Sequence, residues 1–360
     1  MDKLGRTLKR NRQGLLSLPN VVGVARGQKM VRGESTKQEA VVVLVNQKMT
    51  LKDLRQQDVV PRVLAGVPTD VIEVGELRLL EAQPLEAELA EDEDKDPGQP
   101  GGLPSRTRRQ RPARPGVSVG HYQITAGTLG ALVKDRRTGE LLILSNNHVL
   151  ANATDGRDRR AKPGDPILQP GPYDGGTMDD TIAHLDRFIP LVREYARPTC
   201  RIANFSENLG NLALTALAPP YRLEFRRRMP RPNLVDAAVA RLTNPDVVVP
   251  EILELGPVRG LAPEAKVGTV VRKSGRSSGL NQAQILALDA TLRVSLGEKD
   301  TAIFAGQLVA GPMAQPGDSG SLVVDLENRA VGLLFAGSYQ ATIINPIQTV
   351  LDTLAIELVM

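Results

Sequence analysis

The chain has 360 residues, 41% of them hydrophobic and 24% charged, enough for two or three globular domains of ordinary composition. Aromatic residues are only 3% and tryptophan is absent, so the core is expected to be aliphatic, and readings that need aromatic platforms for bases or sugars are disfavoured. Lys+Arg against Asp+Glu is 45 to 41, too small a surplus for a nucleic-acid footprint, and Cys200 stands alone, which excludes an intrachain disulfide and a cysteine zinc cluster.

The first residues, MDKLGRTLKRNRQGLL, lack the apolar core of a secretory signal, and no run approaches a membrane span. The expected location is cytoplasmic. Residues 1–81 read as a small α/β domain. NVVGVARGQKMV (20–31) and EAVVVLVNQKM (39–49) are β-branched runs with a hairpin signal between them. Thr50 is a plausible N-cap for a short helix over TLKDLRQQ, and VPTDVIEV (67–74) reads as a third strand. Residues 82–115 then sort by charge: an acidic run over 86–96, PGQPGGLP at 97–104, and five arginines between Arg106 and Arg114. With no apolar periodicity, this stretch is expected to be a flexible linker.

From 116 onward the chain reads as many short strands punctuated by Gly and Pro, the pattern of an all-β barrel or sandwich. Strands are expected at 128–135, 139–150, 165–170, 181–189, 234–242, 266–275, 283–296, 301–310, 320–325, 330–338 and 341–346. KSGRSSG (273–279) has its lysine before the glycines, the reverse of a phosphate loop, and reads as a strand followed by a turn. Residues 191–233 interrupt the pattern as an insertion, with a possible helix over 199–216. Ile347, Val350, Leu351, Leu354 and Ile356 have helical spacing and predict a C-terminal helix over 346–357.

Three sites carry chemistry. QPGDSGSLVV (315–324) places Ser319 in a tight loop whose glycines, Gly317 and Gly320, permit conformations that a Cβ forbids. There the N–H groups of Gly317 and Ser319 could converge as an oxyanion hole. SNNHVL (145–150) puts His148 at the exit of an apolar strand. Asp236 sits in NLVDAAVARL between apolar residues, where a carboxylate needs hydrogen bonds to be tolerated. Asp180, in MDDTIAHL, competes for the same role but looks more like an exposed turn residue. No HExxH pair exists, and neither a metal nor another cofactor is implied.

The order His148, Asp236, Ser319 is that of chymotrypsin-like enzymes, not of subtilisin-like ones or α/β-hydrolases. Over residues 116–357 the chain resembles the trypsin/chymotrypsin-like serine protease superfamily, in its bacterial intracellular branch with an added N-terminal domain. GDSGS carries most of the resemblance; NHVL departs from it by having Asn147 where the family more often has Ala. The resemblance implies a mainly β protein with a chymotrypsin-like double β-barrel. Barrel one would span 116–250, barrel two 251–345, and the C-terminal helix would follow. It also implies a serine endopeptidase in which Ser319 attacks the scissile carbonyl, His148 moves the proton and Asp236 holds the imidazole. Two departures stand out. No Ile-Val-Gly-Gly-like start exists to pair with Asp318, and the disulfides of secreted relatives are missing.

By position, Met313 and the segment Phe335-Ala336-Gly337 would line the primary specificity pocket. No acid occurs at 311–317 or 330–345, so a small or medium apolar side chain is expected there. The expected partner is a peptide or protein substrate, with the N-terminal domain covering the cleft or binding a partner. Nucleic acid and membrane are not expected. The alternative is a silent or gated protease-fold protein that binds peptides.

Overall fold

The computed structural model describes residues 2–31, 34–80, 105–124, 126–196, 198, 200–218, 220–229, 231–297 and 300–360. Residues 82–104 of the expected linker lie outside the described residues. The protein is mainly β, with two large sheets and a helix near its C-terminus.

The first sheet has eight strands in the order Ile356–Leu358, Ala131–Asp135, Leu141–Ser145, Ala238–Leu242, Thr181–Phe188, Pro166–Leu168, Ser118–His121 and Gly127–Thr128. The last of these leads within three residues into Ala131–Asp135, so the chain returns towards the other end of the sheet. Alternating inward residues fill its interior, among them Val119, Leu132, Ile143, Ile167, Leu185 and Ala240.

The second sheet has eleven strands. Val270–Gly275, Leu322–Val324, Ala330–Gly337, Thr342–Pro346, Thr301–Ala310 and Gly279–Ser295 follow one another, and the first pairs with the sixth as well. These six therefore form a closed ring of pairings. Gly279–Ser295 also pairs with Val21–Val31, which continues into Glu34–Val45, Val67–Glu73 and Val63–Leu64. The N-terminal strands thus extend the sheet built by residues 270–346.

The run of apolar residues in the N-terminal hairpin is buried on both faces. Val41, Val43 and Val45 face one core with Leu4, Leu8 and Leu15, while Val42 and Leu44 face another with Phe304 and Phe335. The helix that supplies those leucines, Lys3–Leu16, was not foreseen. Leu4, Leu8 and Leu15 make one apolar stripe, and Asp2 caps it by accepting from the Gly5 N–H at 2.7 Å. The helix expected over TLKDLRQQ does not form. Residues 51–54 make turns, Thr50 Oγ1 donates to Asp53 Oδ2 at 2.7 Å, and only Gln56–Asp58 makes a 3-10 turn. Residues 51–53 are exposed, so so short a segment has little packing to offset helix nucleation.

Residues 105–115 are anchored rather than loose at Arg106, which bonds Glu254, Ser274 Oγ (2.9 Å) and the carbonyl of Gly275 (3.1 Å). The expected insertion helix is present as Arg201–Leu217. The C-terminal helix, Ile347–Leu354, ends at Ala355 in the left-handed conformation (φ 54°), and a short strand follows. Its buried face packs where the sheets meet, with Val133 and Leu144 of one and Leu322 and Leu333 of the other. Among the described residues no helix is long and apolar enough to cross a membrane.

Candidate active site

His148 lies not on the strand itself but in a single helical turn, Asn147–Leu150, just after Leu141–Ser145. Two asparagines hold that turn. Asn146 Nδ2 donates to the Asp236 carbonyl at 2.8 Å, and Asn147 Nδ2 donates to the carbonyls of Ile189 (2.7 Å) and Thr154 (3.1 Å). The departure at Asn147 is thereby explained: its amide ties the histidine turn to two loops, which alanine could not do.

Asp236 lies two residues before Ala238–Leu242 and is fully buried, as is the His148 side chain. Its Oδ2 lies 2.5 Å from His148 Nδ1, and its Oδ1 accepts the His148 backbone N–H at 3.3 Å. The carboxylate therefore fixes both the backbone and the ring of one residue, and places the proton on Nδ1. Asn345, on a strand of the second sheet, accepts the Asp236 N–H at 3.1 Å and donates to the carbonyls of Asp236 and Leu333, both at 3.2 Å. One side chain thus joins the Asp236 segment to the other sheet. Asp180 takes no part; it closes a capping box with Thr177 and pairs with Arg109.

Ser319 reaches this seam through its own backbone. Its carbonyl accepts the Thr128 N–H at 2.7 Å. A Cβ on Gly127 would meet Val149, next to His148, at 2.4 Å and the Ser319 carbonyl at 3.0 Å. A Cβ on Gly320 would meet Ser145 Oγ at 2.0 Å. Gly127 and Thr128 thus lie between the Val149 side chain of the histidine turn and the serine loop, with no room for a side chain at Gly127 or Gly320. Ser319 Oγ donates to the Phe335 carbonyl at 3.1 Å.

Gly317 and Gly320 adopt φ of 96° and 93°, the left-handed region their loop requires. The Gly317 N–H donates to a carbonyl, that of Leu80, at 2.7 Å. Met313 is buried, its N–H donating to Thr342 Oγ1 at 3.1 Å, and Phe335, Ala336 and Gly337 end the buried strand Ala330–Gly337.

Asp318 has an anchor that the sequence reading left open. Its Oδ2 lies 2.8 Å from Lys273 Nζ, and both side chains are fully buried. Oδ2 also accepts from Ser278 Oγ and from the Gln315 N–H (2.9 Å), and Oδ1 accepts from the N–H groups of Ser277 (2.9 Å) and Ser278 (3.1 Å). Burial pulls the Lys273 ammonium below its ordinary pKa, and the Asp318 charge opposes that shift. A Cβ on Gly275 would sit 2.4 Å from Asp318 Oδ1, so glycine there admits the carboxylate. The available signal was period two: Lys273 shares the inward face of its strand with Val271. Among the described residues no group of three His, Cys, Asp or Glu side chains could hold a metal ion.

Neither a family model nor a curated protein matches the sequence. Solved structures of the trypsin/chymotrypsin fold are similar to the chain. Thermobifida fusca protease A is 15% identical over 69% of this chain and 100% of its own, with a TM-score of 0.43. The chymotrypsin of Cellulomonas bogoriensis is 16% identical over 68% and 97%, with a TM-score of 0.40. Nocardiopsis protease is 15% identical over 69% and 100%, with a TM-score of 0.41.

Proposed function

We propose that this protein is a serine endopeptidase using His148, Asp236 and Ser319, with the two sheets serving as the two barrels of a chymotrypsin-like domain. The observation that carries this reading is the buried His148–Asp236 pair at 2.5 Å, in a turn whose next residue, Val149, packs on Gly127, whose other neighbour is the Ser319 carbonyl. In this reading Asp236 keeps the proton on His148 Nδ1, leaving Nε2 to take the Ser319 proton and then deliver it to the leaving amine. The N–H groups of Gly317 and Ser319 receive the developing oxyanion; that of Gly317 already donates to a carbonyl. Asp318, held by Lys273, keeps the loop in shape without any charged chain terminus. Met313, Phe335, Ala336 and Gly337 line the primary pocket, and a small or medium apolar side chain enters it. Discrimination is modest, since a methylene in such a pocket is worth about 1–3 kcal/mol.

A fluorophosphonate probe tests the reading. It is expected to label Ser319 in the wild-type chain and nothing in Ser319→Ala. A peptide series varied only at the residue before the cut is expected to favour apolar side chains; a preference for Arg or Lys would remove Met313 from the pocket. Failure to label Ser319 in any variant would end the enzyme reading and leave a peptide-binding protein.

A further inference from the structure

One segment of the chain lies in this site as a substrate would. Arg78–Leu79 pairs antiparallel with the end of Ala330–Gly337, Leu79 opposite Ala336 and Arg78 opposite Gly337. The Leu80 N–H donates to the Phe335 carbonyl at 3.4 Å, the same carbonyl that accepts Ser319 Oγ at 3.1 Å. The Leu80 carbonyl accepts the Gly317 N–H at 2.7 Å. Leu80 is therefore bonded at both its backbone groups, one to the strand Ala330–Gly337 and one to the nucleophile loop. Its side chain is buried in the cluster that holds Met313 and Leu334, and a Cβ on Gly337 would lie 3.3 Å from Leu80 Cδ1.

Backbone pairing with alternate side chains in pockets is how an extended peptide docks on a strand edge. Here the peptide is the protein itself. The N-terminal strands that precede it are hydrogen-bonded to Gly279–Ser295, and the Ser295 N–H donates to the Leu77 carbonyl at 2.9 Å, which sets the position of residues 78–80. Such tethering makes any reaction at Leu80 unimolecular.

We infer that Leu80 is the acyl residue of an intramolecular cleavage, and that the bond broken is Leu80–Glu81. The inference rests on the protease reading above. Ser319 Oγ bonds to the Leu80 carbonyl carbon while its proton passes to His148. The bond to the Glu81 nitrogen then breaks, and His148 returns the proton to that nitrogen, which leaves as an amine. One water adds to the Leu80 ester, again through His148, releasing the Leu80 carboxylate and restoring Ser319. The net change is the consumption of one water, with no oxidation or reduction. An apolar leucine is also the side-chain class that the pocket, lacking an acid, was expected to take.

The experiment follows purified full-length chain by intact mass and N-terminal sequencing, in ordinary and oxygen-18 water. The expected result is fragments 1–80 and 81–360, a new amine at Glu81, heavy oxygen in the Leu80 carboxylate, and a rate independent of protein concentration. Ser319→Ala should stay whole, and Leu80→Gly should be cut at least tenfold more slowly. Cleavage of Ser319→Ala at the wild-type rate, or a cut elsewhere, would overturn the inference. So would a wild-type chain that stays whole while the fluorophosphonate labels Ser319 in Leu80→Gly; that result would leave the protease reading standing. No labelling in either chain would instead remove the protease reading, and this inference with it.

Discussion

Two buried His–Asp pairs lie in or beside the first sheet, and they are built differently. His121 Nε2 lies 3.1 Å from Asp165 Oδ2, while its Nδ1 accepts the Gln123 N–H at 3.2 Å. Both ring nitrogens are thus used, one by the adjoining turn and one by the loop before Pro166–Leu168, and the proton sits on Nε2. Asp165 also accepts the Lys162 N–H at 2.8 Å, so it closes a loop as much as it serves the histidine. In the other pair the proton sits on Nδ1, against Asp236, and the next residue of the turn, Val149, packs on Gly127, whose other neighbour is the Ser319 carbonyl. Burial and a carboxylate partner are common to both. What separates them is which nitrogen the carboxylate takes and what lies next to the histidine's own segment. A buried His–Asp pair is ordinarily a way to satisfy a polar side chain; the tautomer and the neighbouring serine loop make the second pair a candidate for proton transfer.

The largest effect tests that separation directly. Ser319→Ala and His148→Ala are each expected to lower kcat by on the order of 10⁶, because groups that act as one unit fail together. His121→Gln is expected to keep kcat within a few-fold. Peptide turnover normalised to folded protein checks both, and a large loss in His121→Gln would collapse the distinction.

Next in size is the carboxylate pair. Asp236→Asn is expected to keep the fold and cost on the order of 10⁴ in kcat by favouring the wrong tautomer. Asp165→Asn should change kcat little. Equal losses in the two variants, measured on one peptide, would show that position in the sheet matters more than the tautomer.

A third buried carboxylate sharpens the comparison because its partner is a full charge. In a Ser319→Ala background, Lys273→Met is expected to cost about 3–5 kcal/mol, since Asp318 is left charged and buried. The double change with Asp318→Asn should be less destabilising than Lys273→Met alone. Denaturant unfolding of the background, the two single variants and the double variant gives the answer, and additive losses would mean that the two residues do not act as a pair.

The smallest effect is a pH dependence. Burial holds the His121 ring below its ordinary pKa, with the Asp165 hydrogen bond opposing. A histidine depressed in this way is neutral when folded and binds more protons when unfolded. Its contribution is therefore complete above about pH 6.5 and is lost as the pH falls towards the folded value. In the Ser319→Ala background, His121→Gln should flatten the loss of stability just below pH 6.5, read as Tm against pH. An unchanged slope would place the titration elsewhere.

Much of this site was legible because its signals are local. GDSGS, the lone histidine at a strand exit and the aspartate among apolar residues each stand out in a short window, and their order along the chain joins them. Lys273 was harder: it falls in the expected strand 266–275, but only period two places it on the buried Val271 face. Asn345 hides in ATIINP, where one polar residue on an apolar strand has no local partner. Leu80 was illegible for a different reason. It is recognised through its backbone N–H and carbonyl, which every residue but proline possesses, so no side-chain pattern could announce it. The Lys3–Leu16 helix, by contrast, carries a readable leucine stripe.

The Asp318 anchor has a bearing on when the Ser319 loop acquires its shape. Its counter-charge is a lysine side chain within the same sheet, and five polar groups converge on one carboxylate. A loop held in this way is set as the strands pair, in the same event that forms the core. No later cut is needed to create its partner, so ripening of the loop and folding of the chain are one step in time.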